Sequence, residues 1–137
     1  MKIDRASGLR AGREVIVRRT FTQQDFNRFA ALSGDDNPIH VDPDFSARTR
    51  FGKTVSHGML LYGVIWSALQ AHFPGAVQLD QDLMFPAPTY VGEEMSIRLR
   101  VLETDPATGR IHVEAILTRP NGEIGCQGQT WLEWTRT

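Results

Sequence analysis

The chain is poor in the residues that staple or anchor a protein. Only one of its 137 residues, Cys126, is a cysteine, so an internal disulfide is excluded and no cysteine-based metal site is spelled out. Net charge is nearly absent: 15 Lys and Arg stand against 16 Asp and Glu, for a formal charge of −1. That balance argues against a general nucleic-acid or membrane-surface binder. Long apolar runs are missing too, since Met59 to Leu69 is broken by Gly63 and Ser67 and is too short to span a bilayer. Met1 to Arg19 is charged, lacks an apolar centre and does not read as a signal peptide. A cytoplasmic protein is the expectation. Close His-x-His and H-E-x-x-H spacings are absent, and Asp35-Asp36-Asn37 fails the calcium-loop pattern because Ile39 takes the fifth position. No metal is expected. Repeats, linkers and low-complexity stretches are lacking as well, which leaves one domain over residues 1–137.

What is present is an ordinary soluble mixture, 41% hydrophobic and 23% charged. A chain of this length buries roughly 68% of its unfolded surface, enough for a core without staples. Glu14 to Phe21 is rich in β-branched residues and predicts a first strand. Thr22 and Asp25 predict a capping box, followed by Phe26, Phe29, Ala30 and Leu32 at helical spacing and a stop at Gly34. Asp42-Pro43 predicts a capped short helix to about Arg48. Arg48 to Lys53 forms a basic loop, suited either to phosphate contact or to plain solvation. With Ser56 as candidate cap, His57 to Phe73 predicts the longest helix, apolar almost all round and therefore buried.

The remainder alternates with period two. Val77 to Phe85, Met95 to Val101, Ile111 to Leu117 and Ile124 to Trp134 predict antiparallel strands with one face on a core. Turns are predicted at Asp105–Gly109 and Asn121-Gly122, and a bend or edge at Pro86 and Pro88. The last strand, carrying Trp131 and Trp134, is expected at or near an exposed sheet edge, which invites pairing. Four such strands, an N-terminal strand and a fully apolar helix favour an α+β arrangement with the antiparallel sheet curled around the helix.

The chemistry concentrates in Ser33-Gly34-Asp35-Asp36-Asn37-Pro38-Ile39-His40. Asp35 and His40 are the groups here able to move a proton near neutral pH. Pro38 keeps them off one helix face and pushes Asn37 towards extended backbone. The segment predicts a rigid loop whose side chains converge. The N-terminus of the long helix offers backbone N–H groups without intrahelical partners, and Gly58 leaves its N–H open to a ligand. An acid, an imidazole and an oxyanion-stabilising N–H suit addition of water beside a carbonyl, or hydrolysis of a thioester; spacing does not separate the two. His57, alone at a helix start, reads first as a packing or cap residue and second as an acid or ligand.

The stretch F-A-A-L-S-G-D-D-N-P-I-H-V-D-P-D-F-S, Phe29 to Ser46, resembles the signature of the MaoC-like, (R)-specific enoyl-CoA hydratase family. His57-Gly58-Met59-Leu60 resembles that family's second block, and Leu79 to Phe85, the Pro-rich bend and Val91 to Glu94 resemble its later strands. The resemblance implies a hot-dog fold and a homodimer with its site in a tunnel near the subunit interface. It implies reversible hydration of trans-2-enoyl-CoA to (R)-3-hydroxyacyl-CoA without metal or redox cofactor. Asp35 and His40 would activate water, the Gly58 N–H would hold the thioester oxygen, and Asn37 would order the loop or bond the water. Ser33, His57 and Trp66 complete the candidate substrate-contacting set. At Trp66 the sequence departs from some short-chain members of the family, which carry a small hydroxyl residue about nine positions past the His of the His57-Gly58-Met59-Leu60 block; here Ser67 stands beside it. Trp66 projects about 80° from Gly58 on the helical wheel and about 12 Å along it, so it closes the acyl pocket or turns into the core. A hot-dog thioesterase, a dehydratase acting on acyl carrier protein or branched substrates, and a non-catalytic acyl-thioester-binding domain are the competing classes. The joint presence of Asp35 and His40 disfavours the last.

Overall fold

The computed structural model describes residues 10–134; the first half of the charged N-terminal stretch discussed above lies outside them. β1 (Glu14–Thr20) leads to α1 (Gln23–Ser33), α2 (Pro38–Val41), α3 (Pro43–Ala47) and α4 (Gly58–His72). β2 (Val77–Gln78), β3 (Glu94–Asp105), β4 (Arg110–Thr118) and β5 (Ile124–Glu133) follow. The five strands form one sheet in the order β1-β3-β4-β5-β2, every pairing antiparallel. Register shifts at Val101/Glu103 and Leu117/Thr118 bend it.

α4 lies in the concave side. Leu61, Val64, Ile65, Ala68 and Leu69 meet Ile97, Leu99, Val101, Ile111, Val113, Ala115, Leu117, Cys126 and Leu132 in one buried cluster. Period two in the strands supplies the inner face, and the i, i+3, i+4 spacing in α4 supplies the plug. This is the hot-dog arrangement, α+β, with the sheet wrapped around the helix.

Three expectations change in detail. α4 is not buried all round: Met59 and Trp66 are exposed on its outer face, so its second apolar side faces away from this chain's own core. Ser56 does not cap α4. His57 holds the cap position without a side-chain cap bond, and the Ser56 hydroxyl instead donates to the His57 carbonyl.

The third change concerns the sheet edge. Of Val77 to Phe85 only Val77–Gln78 is strand, with an isolated bridge at Met84. β5 is nonetheless covered. The N–H groups of Leu79, Asp82 and Met84 donate to the carbonyls of Trp131, Gln129 and Gln127. The carboxylates of Asp80 and Asp82 accept from the N–H groups of Trp131 and Gln129, each at 2.8 Å. Side-chain oxygens thus replace the carbonyls a regular strand would present. The approach is close because position 128 is glycine: a Cβ there would stand 1.9 Å from the Asp82 carbonyl oxygen. The expected exposed edge at Ile124 to Trp134 is therefore not found.

Candidate active site

The site begins where α1 stops. The Thr22 hydroxyl accepts from the Asp25 N–H while the Asp25 carboxylate accepts from the Thr22 N–H, the reciprocal cap expected from sequence. These bonds hold the Asp25 carboxyl below its ordinary range. At the other end Gly34 turns the chain with φ 81°, a left-handed conformation that favours glycine. The Ser33 hydroxyl donates to the Phe29 carbonyl at 2.7 Å and accepts from the Asp35 N–H at 3.2 Å. Ser33 is therefore engaged in the turn that aims Asp35.

His40 does not sit on the loop itself. Asn37, extended at φ −51° and ψ 131°, caps a short helix, its side-chain oxygen accepting from the Ile39 N–H at 3.2 Å, and Pro38 takes the first helical position. One turn on, His40 points inward. Its Nδ1 lies 2.7 Å from the Val55 carbonyl oxygen. A carbonyl only accepts, so Nδ1 carries the hydrogen and the neutral ring keeps its lone pair on Nε2. Gln23 braces the same residue: its Nε2 donates to the His40 carbonyl at 2.9 Å, and its Oε1 accepts from the Thr54 hydroxyl at 2.6 Å.

His40 Nε2 stands 3.8 Å from Asp35 Oδ2, with side chains 10% and 55% exposed. This is too long for a direct hydrogen bond, yet a water about 2.8 Å from each would touch both. Facing it are two acceptors, a carboxylate and an imidazole lone pair. A water there places its hydrogens on the protein and leaves an oxygen lone pair for an electrophile.

His57 stacks on His40, centroids 3.8 Å apart and rings tilted by 25°. Its Nε2 is 2.8 Å from the Asp35 main-chain oxygen, and its Nδ1 is buried with no hydrogen-bond partner. Burial pushes its pKa down, against a smaller upward pull from the Asp35 carbonyl. Asp35, His40 and His57 each bring a potential metal-ligand atom within 4.8 Å of the others. His40 Nδ1 and His57 Nε2 are each committed to a peptide carbonyl, and the remaining His57 nitrogen is buried, so the arrangement suits proton handling better than ligation.

Next along the chain, Gly58 opens α4 and lines a cleft of about 440 Å³ with Arg50, Ser56, Phe85, Thr89 and Gly125. The Phe85 ring lies across it, 3.1 Å from where a Gly58 Cβ would be. Thr89, 1% exposed, has an Oγ1 without a partner there. Asp35, His40, His57 and Gly58 are thus brought together around the start of α4, while the Asn37 side chain is engaged in capping α2. Trp66 is not: it lies on the outer face of α4, 38% exposed, and is not among the residues lining this cleft.

Sequence inspection missed the second layer. Gln23, Thr54 and Val55 act through a side-chain bridge and a main-chain carbonyl, which no motif announces. Only α2 had a signal, the Asn37-Pro38 pair that repeats Asp42-Pro43.

A hot-dog sheet around one helix, with an Asp/His pair at that helix's start, defines a class. Residues 8–119 match the family model of the MaoC like domain, and the chain belongs to that family. It is 37% identical over 98 residues to the (R)-specific enoyl-CoA hydratase of Aeromonas caviae, covering 70% of this chain and 73% of that protein. It is 36% identical over 104 residues to the 3-hydroxybutyryl-CoA dehydratase of Methylorubrum extorquens, covering 74% and 66%. It is 37% identical over 87 residues to a mitochondrial 3-hydroxyacyl-[acyl-carrier-protein] dehydratase of Arabidopsis thaliana, covering 64% and 52%. The chain thus spans less than two thirds of the length of these last two relatives. Among solved structures, the A. caviae (R)-hydratase superposes with a TM-score of 0.87 at 29% identity, covering 93% of this chain and 98% of that one. An unliganded R-hydratase from Pseudomonas aeruginosa gives 0.86 at 30%, covering 96% and 86%.

Proposed function

We propose that this protein catalyses the reversible hydration of trans-2-enoyl-CoA to (R)-3-hydroxyacyl-CoA. The observation that carries the proposal is the Asp35–His40 pair, 3.8 Å apart, with its imidazole tautomer held by the Val55 carbonyl. The water held between them attacks the β-carbon, and one of the pair takes its proton. The electron pair of the double bond moves onto the thioester, and the enolate oxygen is met by the Gly58 N–H at the positive end of α4. The pair then returns a proton to the α-carbon. One water is consumed, one C–O and one C–H bond form, and the thioester stays intact. Asn37 orders the loop by capping α2.

A homodimer is the partner that fits this reading. Met59 and Trp66 on the outer face of α4 are large, apolar and exposed, as is Phe85 beside Gly58. Exposed apolar side chains of this kind suit an interaction surface, and a second copy laid over α4 would put Gly58 and Phe85 near the seam.

The test mixes the protein with crotonyl-CoA. Enoyl absorbance should fall, free thiol should stay constant, and chiral analysis should return the (R)-alcohol. Stoichiometric thiol release would make it a thioesterase; an (S)-product would sink the stereochemical assignment. The same substrate on acyl carrier protein, run in parallel, assigns the carrier.

A further inference from the structure

His57 sits in an aromatic box, 2% exposed. The Phe29 ring is 4.8 Å away, the Phe26 ring meets it edge-on at 6.4 Å, and His40 stacks at 3.8 Å. A residue needed only to fill this space would be apolar, because a buried polar atom left unpaired costs free energy. Nδ1 is such an atom. Nε2 is not: it contacts the Asp35 carbonyl, which only accepts, so Nε2 carries the hydrogen. That bond spans 22 residues of sequence and joins the residue before α4 to the loop that carries Asp35.

We propose that His57 is the positioning residue of this site. A single side chain pins the Asp35 main chain and gives the His40 ring a flat surface to lie on. The same residue's peptide bond supplies the Gly58 N–H. The water-activating pair and the oxyanion donor come from separate parts of the chain, and His57 touches both. Burial lowers the His57 pKa, which disfavours a second cation stacked against His40 when that ring takes a proton. Reaction rates are sensitive to such placement: a misplacement of about 1 Å costs about 10²-fold.

Three substitutions separate positioning from packing. Glutamine carries an N–H where Nε2 stands, asparagine reaches only as far as Nδ1, and leucine fills volume without a donor. The proposal rests on the hydratase reading for its kinetic arm only. Amide hydrogen exchange over residues 34–37 and the ¹⁵N shifts of the His40 ring report on positioning whether or not the protein hydrates crotonyl-CoA. For His57→Leu we expect faster exchange in that loop and a kcat about 10²-fold lower, with KM changed by no more than about threefold. His57→Gln should retain the exchange pattern and recover kcat to within about tenfold of wild type, whereas His57→Asn should behave like the leucine variant. If His57→Leu does not fold, the glutamine–asparagine comparison decides. Wild-type loop exchange in a folded His57→Leu or His57→Asn overturns the proposal, as does equal loss of kcat in all three. Inactive wild type would overturn the hydratase reading and leave the exchange result to judge positioning.

Discussion

Asp35→Asn removes a charge and almost nothing else. The side chain keeps its shape, the Asp35 main-chain oxygen still meets His57, and the Asp35 N–H still meets the Ser33 hydroxyl. The side chain is 55% exposed, so stability should stay within about 0.5 kcal/mol of wild type, as for ordinary surface changes. The catalytic effect is different. As His40 takes a proton, a carboxylate 3.8 Å away attracts it by about 4 kcal/mol at an effective dielectric near 20 and about 1 kcal/mol in water. Exposure of Asp35 weights the result towards the lower figure. Electrostatics alone therefore costs roughly fivefold to a few hundredfold, nearer the lower end. Loss of a proton acceptor costs about 10²–10⁴-fold. These overlapping effects predict that kcat for crotonyl-CoA hydration drops by about 10² or more, while KM and the melting temperature barely move. A folded Asp35→Asn protein turning over within a few-fold of wild type would refute the assignment, whatever became of KM.

Other outcomes follow from the same geometry. His40→Ala should lose kcat on a similar scale, and the double variant should be far from additive, as expected of two groups acting on one water; additive losses in kinetic assays would deny a shared role. Gly128→Ala must lift residues 79–84 off β5, costing about 1–3 kcal/mol for overpacking plus broken edge hydrogen bonds. Denaturant titration should show the loss, and hydrogen exchange should rise at Gln127, Gln129 and Trp131. Trp66→Ala should shift the mass seen by light scattering towards monomer and leave the acyl-chain profile unchanged; a raised preference for longer enoyl-CoAs would put Trp66 in the acyl pocket instead. Finally, because burial lowers the His57 pKa from its ordinary 6.5, the unfolded chain takes the proton first. Stability should be full above about pH 6.5 and decline as pH falls towards the native value. His57→Gln should flatten that decline in pH-dependent melts.

Much of this was legible in the residues, for physical reasons that also mark where legibility ends. The capping box at Thr22 and Asp25, the stop at Gly34 and the cap at Asp42-Pro43 are local, and each appears as spacing predicts. Period two in β3, β4 and β5 identified the inner faces because burial alternates with the pleat. The same period misled at Val77 to Phe85. There the polar positions Asp80 and Asp82 use their carboxylates as hydrogen-bond acceptors for β5, a use that alternation does not reveal. α4 looked buried all round because apolar residues cover its circumference, yet a helix can serve a core on one side and an interface on the other. Asp35 and His40 stood out by chemistry. The bond from His57 to Asp35 and the brace from Gln23 to His40 depend on how distant segments meet in space, and neither residue type nor spacing encodes that.

Both imidazoles at this site have their tautomers dictated by peptide carbonyls, His40 by Val55 and His57 by Asp35. A peptide carbonyl is present whatever side chain the residue bears. The protonation pattern is therefore inherited from the path of the backbone and is insulated from mutation at the very positions that impose it. Val55 can drift among residues of similar volume, and even Asp35 can be replaced, without turning either ring over. In evolutionary terms the costly part of the design is held by the fold. The surrounding walls remain free to diverge around an Asp–His pair whose resting tautomers do not change.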